Sequence, residues 1–219
     1  MIKLHNDIDD EHRATARQDW SKASVRALLW GGWIVASTLG WLLYHSRYGG
    51  FDWLVVGVLT GIGQWFIIRH YIQHAGWWIV VTAVGMTVAG IVGNILASAA
   101  EHLVPLLQTL HVQEADTAVT ISNLRMVLGT AMFGLLLGGM QWLVVSRQWS
   151  KAGRWIIAST VGALLPILLL ALVSLVGSGS IDLTEVDDLF GSIGPVTLMS
   201  ASMGGLTGFV LLDSRPVAR

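Results

Sequence analysis

The chain contains no cysteine, which excludes disulfides, thiol nucleophiles and thiolate-held metals. Charge is almost as scarce. Asp, Glu, Lys and Arg make up 12% of the 219 residues, about half the roughly 25% of a soluble domain, too few to clothe a water-facing surface. The net charge of −1 provides no basic footprint for nucleic acid. No Asp, Glu, Lys or His falls deep inside an apolar run, so the buried ionisable groups that mark proton relays and ion-coupled transport are missing. There is no GxSxG, no HExxH, no phosphate-cradling glycine loop and no nucleophile–base–carboxylate set, leaving enzyme as the class with the least support. No cofactor and no metal site is expected. The first 26 residues are polar, with no apolar stretch leading to a small-residue cleavage site. A cleavable signal peptide is therefore not expected, and the first apolar run serves as its own insertion signal.

What the chain does have is apolar length, with 53% hydrophobic residues. Six runs stand out, at 27–44, 52–68, 76–98, 126–146, 155–177 and 194–212. A hydrocarbon core of about 30 Å needs roughly 20 helical residues, and lipid tolerates only segments that satisfy their own backbone. The expected fold is all-α, a polytopic membrane protein of six transmembrane helices (residues 27–213). It is flanked by a cytoplasmic segment 1–26, charged and able to form a helix over 9–25, and by a short cytoplasmic tail, 214–219. Of the 13 Lys and Arg, only Arg47 and Arg125 fall on the side opposite the termini. The positive-inside rule then places both termini in the cytoplasm, and the expected location is the bacterial cytoplasmic (inner) membrane. Trp20, Trp30, Trp53, Trp77, Trp149 and Trp155 lie near predicted helix ends, where an indole suits the headgroup zone.

The odd-numbered helices repeat one motif without gaps: Gly31-Gly-Trp33-Ile-Val-Ala-Ser37-Thr-Leu-Gly40, Gly76-Trp-Trp78-Ile-Val-Val-Thr82-Ala-Val-Gly85, and Gly153-Arg-Trp155-Ile-Ile-Ala-Ser159-Thr-Val-Gly162. The even helices carry a second. Gly57-xxx-Gly61-xx-Gln64-Trp65 runs to Arg69, and Gly134-xxx-Gly138-xx-Gln141-Trp142 runs to Arg147. The sixth helix has Gly204-xxx-Gly208, which aligns Leu211 and Leu212 with the Gln-Trp pair. The chain thus reads as three helical hairpins, about 27–69, 76–147 and 153–213, forming a pseudo-threefold bundle of parallel repeats. Within the second hairpin the outer connection, about 99–125, is expected to be a long loop, with an apolar stretch at 102–110. In the last outer loop Thr184 and Asp187 resemble a capping box, and Asp182, Glu185, Asp187 and Asp188 form a solvated acidic face.

Gln64 and Gln141 are the sharpest candidates. A primary amide in hydrocarbon needs partners, because burying it unpaired costs roughly 2–7 kcal/mol. One reading bonds each amide to a neighbouring helix, with Ser37, Thr82 or Ser159 as partner. The other turns both toward a shared cavity that binds a ligand, lined also by Trp65 and Trp142 and approached by Arg69 and Arg147. With Leu211 aligned to the two glutamines, Gln64→Leu with Gln141→Leu is expected to be tolerated. Gly57, Gly61, Gly134, Gly138, Gly204 and Gly208 are read as helix-packing residues. Ser37, Thr82 and Ser159 bond between helices or to their own carbonyls. Asn94 faces an outer vestibule or a neighbouring helix, and Pro166 frees a carbonyl and kinks the fifth helix. His70 and His74 sit in a turn expected to be non-helical, which keeps them from chelating a metal together.

Gly61-xx-Gln64-Trp65…Arg69 followed by Ala75-Gly76-Trp77-Trp78 resembles the repeated GxxQW…R and AGWW blocks of uncharacterised multi-pass membrane proteins of cyanobacteria and filamentous phototrophic bacteria. Gln141-Trp142 followed by Ala152-Gly153-Arg154-Trp155 is similar, with Arg154 in place of the second Trp. The resemblance implies a multi-pass membrane fold and no particular activity. The Pro-x-[Asp/Glu]-x-x-[Lys/Arg] signature of mitochondrial carriers is absent from the odd helices. The expected function is non-enzymatic: a structural or accessory membrane protein in contact with the lipid bilayer and with a membrane-protein partner or further copies of itself. The alternative is a small-molecule or lipid binder or transporter with its site at Gln64 and Gln141.

Overall fold

The structure, a computed structural model, describes residues 24–40, 42, 52–102, 114–178 and 193–213. Among the described residues it is all-α with six helices: α1 (24–40), α2 (Asp52–Ile68), α3 (Gly76–Glu101), α4 (Glu114–Val145), α5 (Gly153–Ser178) and α6 (Ile193–Asp213). Three of them contain stretches long and apolar enough to cross a membrane, Gly76–Leu96, Ile121–Val145 and Gly153–Leu172, and α2 carries a shorter apolar run, Trp53–Ile68. The expected 9–25 helix lies almost wholly outside the described residues, as do most of the 102–110 stretch and the acidic loop around Asp187.

The connection between α3 and α4, expected as a long loop over about 99–125, is shorter than that. Residues 114–125 are helical and extend α4 toward its N-terminus. The apolar run that marks a span begins near Ile121, but nothing in Glu114-Ala-Asp-Thr-Ala-Val-Thr breaks a helix. Backbone bonding simply continues past the end of the hydrophobic signal.

The helices are inverted relative to a water-soluble bundle. Along α3 the exposed face is Trp77, Val80, Val84, Val88, Ile91 and Ile95, whereas Thr82, Ala83 and Gly85 are buried. On α5 the exposed side holds Ile157, Val161, Leu168, Leu169 and Leu172. Ser37, Thr60, Gln64, Thr82, Gln141, Ser159, Ser200 and Thr207 are all buried. Apolar faces of this extent need an apolar surrounding, and the bundle keeps its polar groups inside.

Small residues decide how close the helices come. A Cβ built on Gly57 would sit 2.6 Å from Ala83 Cα on α3, and one on Gly134 would sit 2.7 Å from Thr160 Cα on α5. Gly61 and Gly138 face Ile79 and Ile156 one turn along, and Gly204 of α6 meets Ile34 of α1 in the same way. The glycines that close the ten-residue motif pack within their own hairpins: Gly40 on Thr60, Gly85 on Leu137 and Met140, Gly162 on Met203. Gly57, Gly61, Gly134, Gly138 and Gly204 therefore join one helix pair to the next, while Gly40, Gly85 and Gly162 pack within a pair. Backbones this close gain dispersion contacts that need no hydrophobic drive.

These contacts correct the register read for the sixth helix. Gly204 occupies the place of Gly61 and Gly138. Leu211 therefore stands with Ile68 and Val145, and all three are buried in one cluster. Thr207, three residues beyond Gly204, takes the glutamine position. Gly208 lies beneath Trp30 and Trp33 rather than against a backbone.

Pro166 sits within α5, and its missing N–H leaves the Gly162 carbonyl without a helical donor. Ser202 Oγ of α6 donates to that carbonyl. At the opposite end of the helices, the 69–75 and 146–152 turns match bond for bond. Arg69 N donates to Trp65 O and Ser146 N to Trp142 O; Ile72 N donates to Ile68 O and Trp149 N to Val145 O. Near the end of each turn stands a left-handed residue, His74 (φ 56°) and Lys151 (φ 64°), before the next helix starts. The turns are tied together: Gln73 N donates to Gln148 Oε1 at 2.8 Å, and Gln148 Nε2 donates to Gln73 O at 3.1 Å.

Candidate functional site

Three tryptophans, one from each odd helix, meet inside the bundle. Trp33, Trp78 and Trp155 are fully buried, with ring centroids 5.8, 5.8 and 5.5 Å apart and tilted or edge-to-face planes. Edge-to-face contact suits the ring quadrupole. Trp149 also packs on Trp155, at 6.0 Å. Trp155 and Trp149 are thus core residues, not the interfacial indoles that their position in sequence suggests, while Trp77 is exposed as expected. The repeat held the clue. The third column of the motif is Trp in every copy, whereas the second changes from Gly32 to Trp77 to Arg154. Of these two columns, the unchanging one is turned inward.

Each indole N–H is engaged by an even-numbered helix. Trp78 Nε1 donates to Gln64 Oε1 at 2.9 Å, and Gln64 Nε2 donates to Ser37 Oγ at 3.0 Å. Trp155 Nε1 donates to Gln141 Oε1 at 3.0 Å, and Gln141 Nε2 donates to Thr82 Oγ1 at 3.2 Å. Each glutamine therefore bridges the odd helix of its own hairpin to that of the next. In the third position Trp33 Nε1 donates to Thr207 Oγ1 at 3.0 Å, and Thr207 donates to its own helix at Met203 O. Thr207 lacks an amide with which to reach back to α5. Ser159 Oγ, the counterpart of Ser37 and Thr82, accordingly has no hydrogen-bond partner among the described residues.

Gln64 and Gln141 both line one cavity of about 20 Å³, together with Thr60, Ser159, Ser200 and Thr207. Phe133, Met86, Leu137 and Met203 form its apolar wall. Trp65 and Trp142 are not in that lining; they pack against the tryptophan cluster, half-buried. Arg69 is exposed and lies over the Trp65 and Phe66 rings, 5.2 and 5.3 Å from their centroids. Arg147 borders a separate groove of about 420 Å³ with Gln73, His74, Trp77, Leu143 and Gln148. The structure thus brings the two glutamines together and leaves the two arginines outside their cavity. Arg154, the departure from the second Trp of the block, pairs with Asp213 at 2.9 Å, an exposed contact of little net stability. Asn94 and Arg125 line a third space, of about 190 Å³, near the opposite end. Among the described residues no three His, Asp or Glu side chains lie together as metal ligands.

The bonds at Gln141 reverse the expectation from the Leu211 alignment. Gln141→Leu strands the Trp155 N–H and the Thr82 hydroxyl in a buried place, at about 1–3 kcal/mol for each unsatisfied group. Gln64→Leu with Gln141→Leu is therefore expected to lower the unfolding midpoint well below that of either single change. Thermal unfolding in mild detergent measures this, and a double variant as stable as the parent would refute the bridging role.

Comparison with protein-family models, with curated proteins and with solved structures finds no match for the chain.

Proposed function

We propose that the chain is a non-enzymatic, structural or accessory protein of the bacterial cytoplasmic membrane. In this reading all six helices span, as three hairpins about a pseudo-threefold axis, with both termini in the cytoplasm. Its outward faces meet lipid and either a membrane-protein partner or further copies of the chain. The observation that carries the reading is the double engagement of Gln64 and Gln141. Both ends of each amide are used to tie helices together, and the space beside them is about 20 Å³. A transport substrate needs a chamber, and pockets for drug-sized ligands run to roughly 300–1,000 Å³. The three-way meeting of Trp33, Trp78 and Trp155 supports the symmetric arrangement, as does the repeated seating of Gly61, Gly138 and Gly204 on Ile79, Ile156 and Ile34.

The lipid-binding alternative has one observation behind it. The groove at Arg147 pairs a cationic rim with an apolar wall of Trp77, Val81, Leu143 and Val144, the combination that an anionic phospholipid at an inner leaflet would meet. Native mass spectrometry of the protein released gently from its own membrane separates the two readings. Retention of a partner protein or of further copies is the expected result. A stoichiometric small molecule or lipid on a monomer would replace the structural reading with the binding one.

A further inference from the structure

Two buried hydroxyls face the cavity at Gln64 and Gln141 without partners among the described residues: Ser159 Oγ on α5 and Thr60 Oγ1 on α2. Both residues are at most 2% exposed. Leaving two such groups dry is costly, and native interiors avoid it by pairing them or by enclosing water. The cavity they line, about 20 Å³, exceeds the roughly 10–15 Å³ that one water requires. It is too small for anything larger. From this we infer that the bundle binds a single structural water between Ser159 and Thr60, in the place that a third glutamine amide would fill.

The register of α6 supplies the reason. In the first two repeats an amide reaches the motif hydroxyl, from Gln64 to Ser37 and from Gln141 to Thr82. In the third, Thr207 accepts from Trp33 and donates to Met203 O, so its one proton is committed within α6. Ser159 keeps its donor and both lone pairs. A water there has Ser159 and Thr60 as partners and further oxygens within the lining, on Ser200 and Gln141. That meets the two to four polar partners that a buried water needs. Phe133, Leu137 and Met203 supply apolar lining, which offers the molecule no hydrogen bond and leaves it to the polar groups.

The test uses the full chain in lipid nanodiscs and two readouts. The first is cross-relaxation between water and the backbone amides of Ser159 and Thr160, which reports a long-lived water. The second is the thermal unfolding midpoint. The wild-type protein should show the water contact, and Thr207→Gln should abolish it by supplying the missing amide. Ser159→Ala should lower the midpoint by about 2–4 °C, since it removes an anchor from a satisfied network. No water contact in the wild type overturns the inference. A midpoint raised or unchanged by Ser159→Ala overturns it equally, because deleting a dry, unpaired hydroxyl relieves a burial penalty. If Thr207→Gln does not assemble, the wild-type contact and Ser159→Ala decide the question without it.

Discussion

Trp155→Ala is expected to destabilise the protein by about 4 kcal/mol. Two losses combine in that figure. The indole is fully buried against Trp33, Trp78 and Trp149, so its removal leaves a cavity in rigid surroundings, and Trp→Ala changes of this kind cost about 3–5 kcal/mol in soluble cores. In lipid the transfer part of that cost shrinks, because acyl tails are as apolar as the ring, while the lost dispersion contacts remain. The second loss is chemical: Gln141 Oε1 no longer accepts from Nε1 and stays buried without that donor. Trp155→Phe separates the two, since it keeps most of the ring contact and deletes the N–H. It should cost about 1–3 kcal/mol. Unfolding by a mixed-detergent titration measures both variants. Equal costs for Ala and Phe would mean that the hydrogen bond, not the packing, dominates, and negligible costs for both would remove the tryptophan cluster as the centre of the fold.

Gly134→Leu is expected to prevent assembly of the bundle, whereas Gly139→Leu, five residues along the same helix, is expected to be silent. A Cβ at Gly134 would lie 2.7 Å from Thr160 Cα and 2.8 Å from Ser159 O, both backbone atoms on α5. Backbone cannot rotate away as a side chain does, so the helices must part. That separation undoes the seat of Gly138 on Ile156 and pulls Trp155 Nε1 away from Gln141 Oε1, now 3.0 Å apart. Overpacking in soluble cores typically costs about 1–3 kcal/mol. Here the clash falls on two backbones at a crossing, and the cost should exceed that range. At Gly139 nothing lies within 4 Å of where a Cβ would stand, and leucine is also the better helix former. Expression and monodispersity on size exclusion report the contrast, and similar behaviour of the two variants would deny close packing at Gly134.

The same contrast shows which links were legible without coordinates. Gly57, Gly61, Gly134 and Gly138 could be read as contact residues because small residues four apart on an apolar helix permit close approach. Which backbone each one meets could not be read, since the partner depends on helix order and register. The sixth helix illustrates the difficulty. Its two glycines, Gly204 and Gly208, align with either glycine of the earlier helices, and a shift of one turn preserves the apolar face. Only the seating of Gly204 on Ile34 selects the register with Thr207, not Leu211, beneath Trp33. A sequence signal did exist, because Gly204-xx-Thr207 keeps the spacing of Gly61-xx-Gln64 with a polar residue in the last place. The candidate site was legible to the same depth: the two amides were identifiable, but not the indoles that hold them.

By itself the sequence determined that this protein is all-helical and apolar outward, that its helices carry an internal repeat, and that Gln64 and Gln141 are its unusual polar groups. Those properties are local or periodic, and composition, length and spacing encode them directly. The tertiary structure alone decided which partners the amides take, that Trp155 lies at the centre instead of at a surface, that Ser202 covers the carbonyl freed by Pro166, and that Ser159 finds no partner among the described residues. Each of these depends on which helices cross and at what height. Hydrogen bonds and close packing act over about 3–4 Å, while the residues involved lie far apart along the chain. A one-turn slip that leaves the hydrophobic pattern intact would exchange every one of those partners.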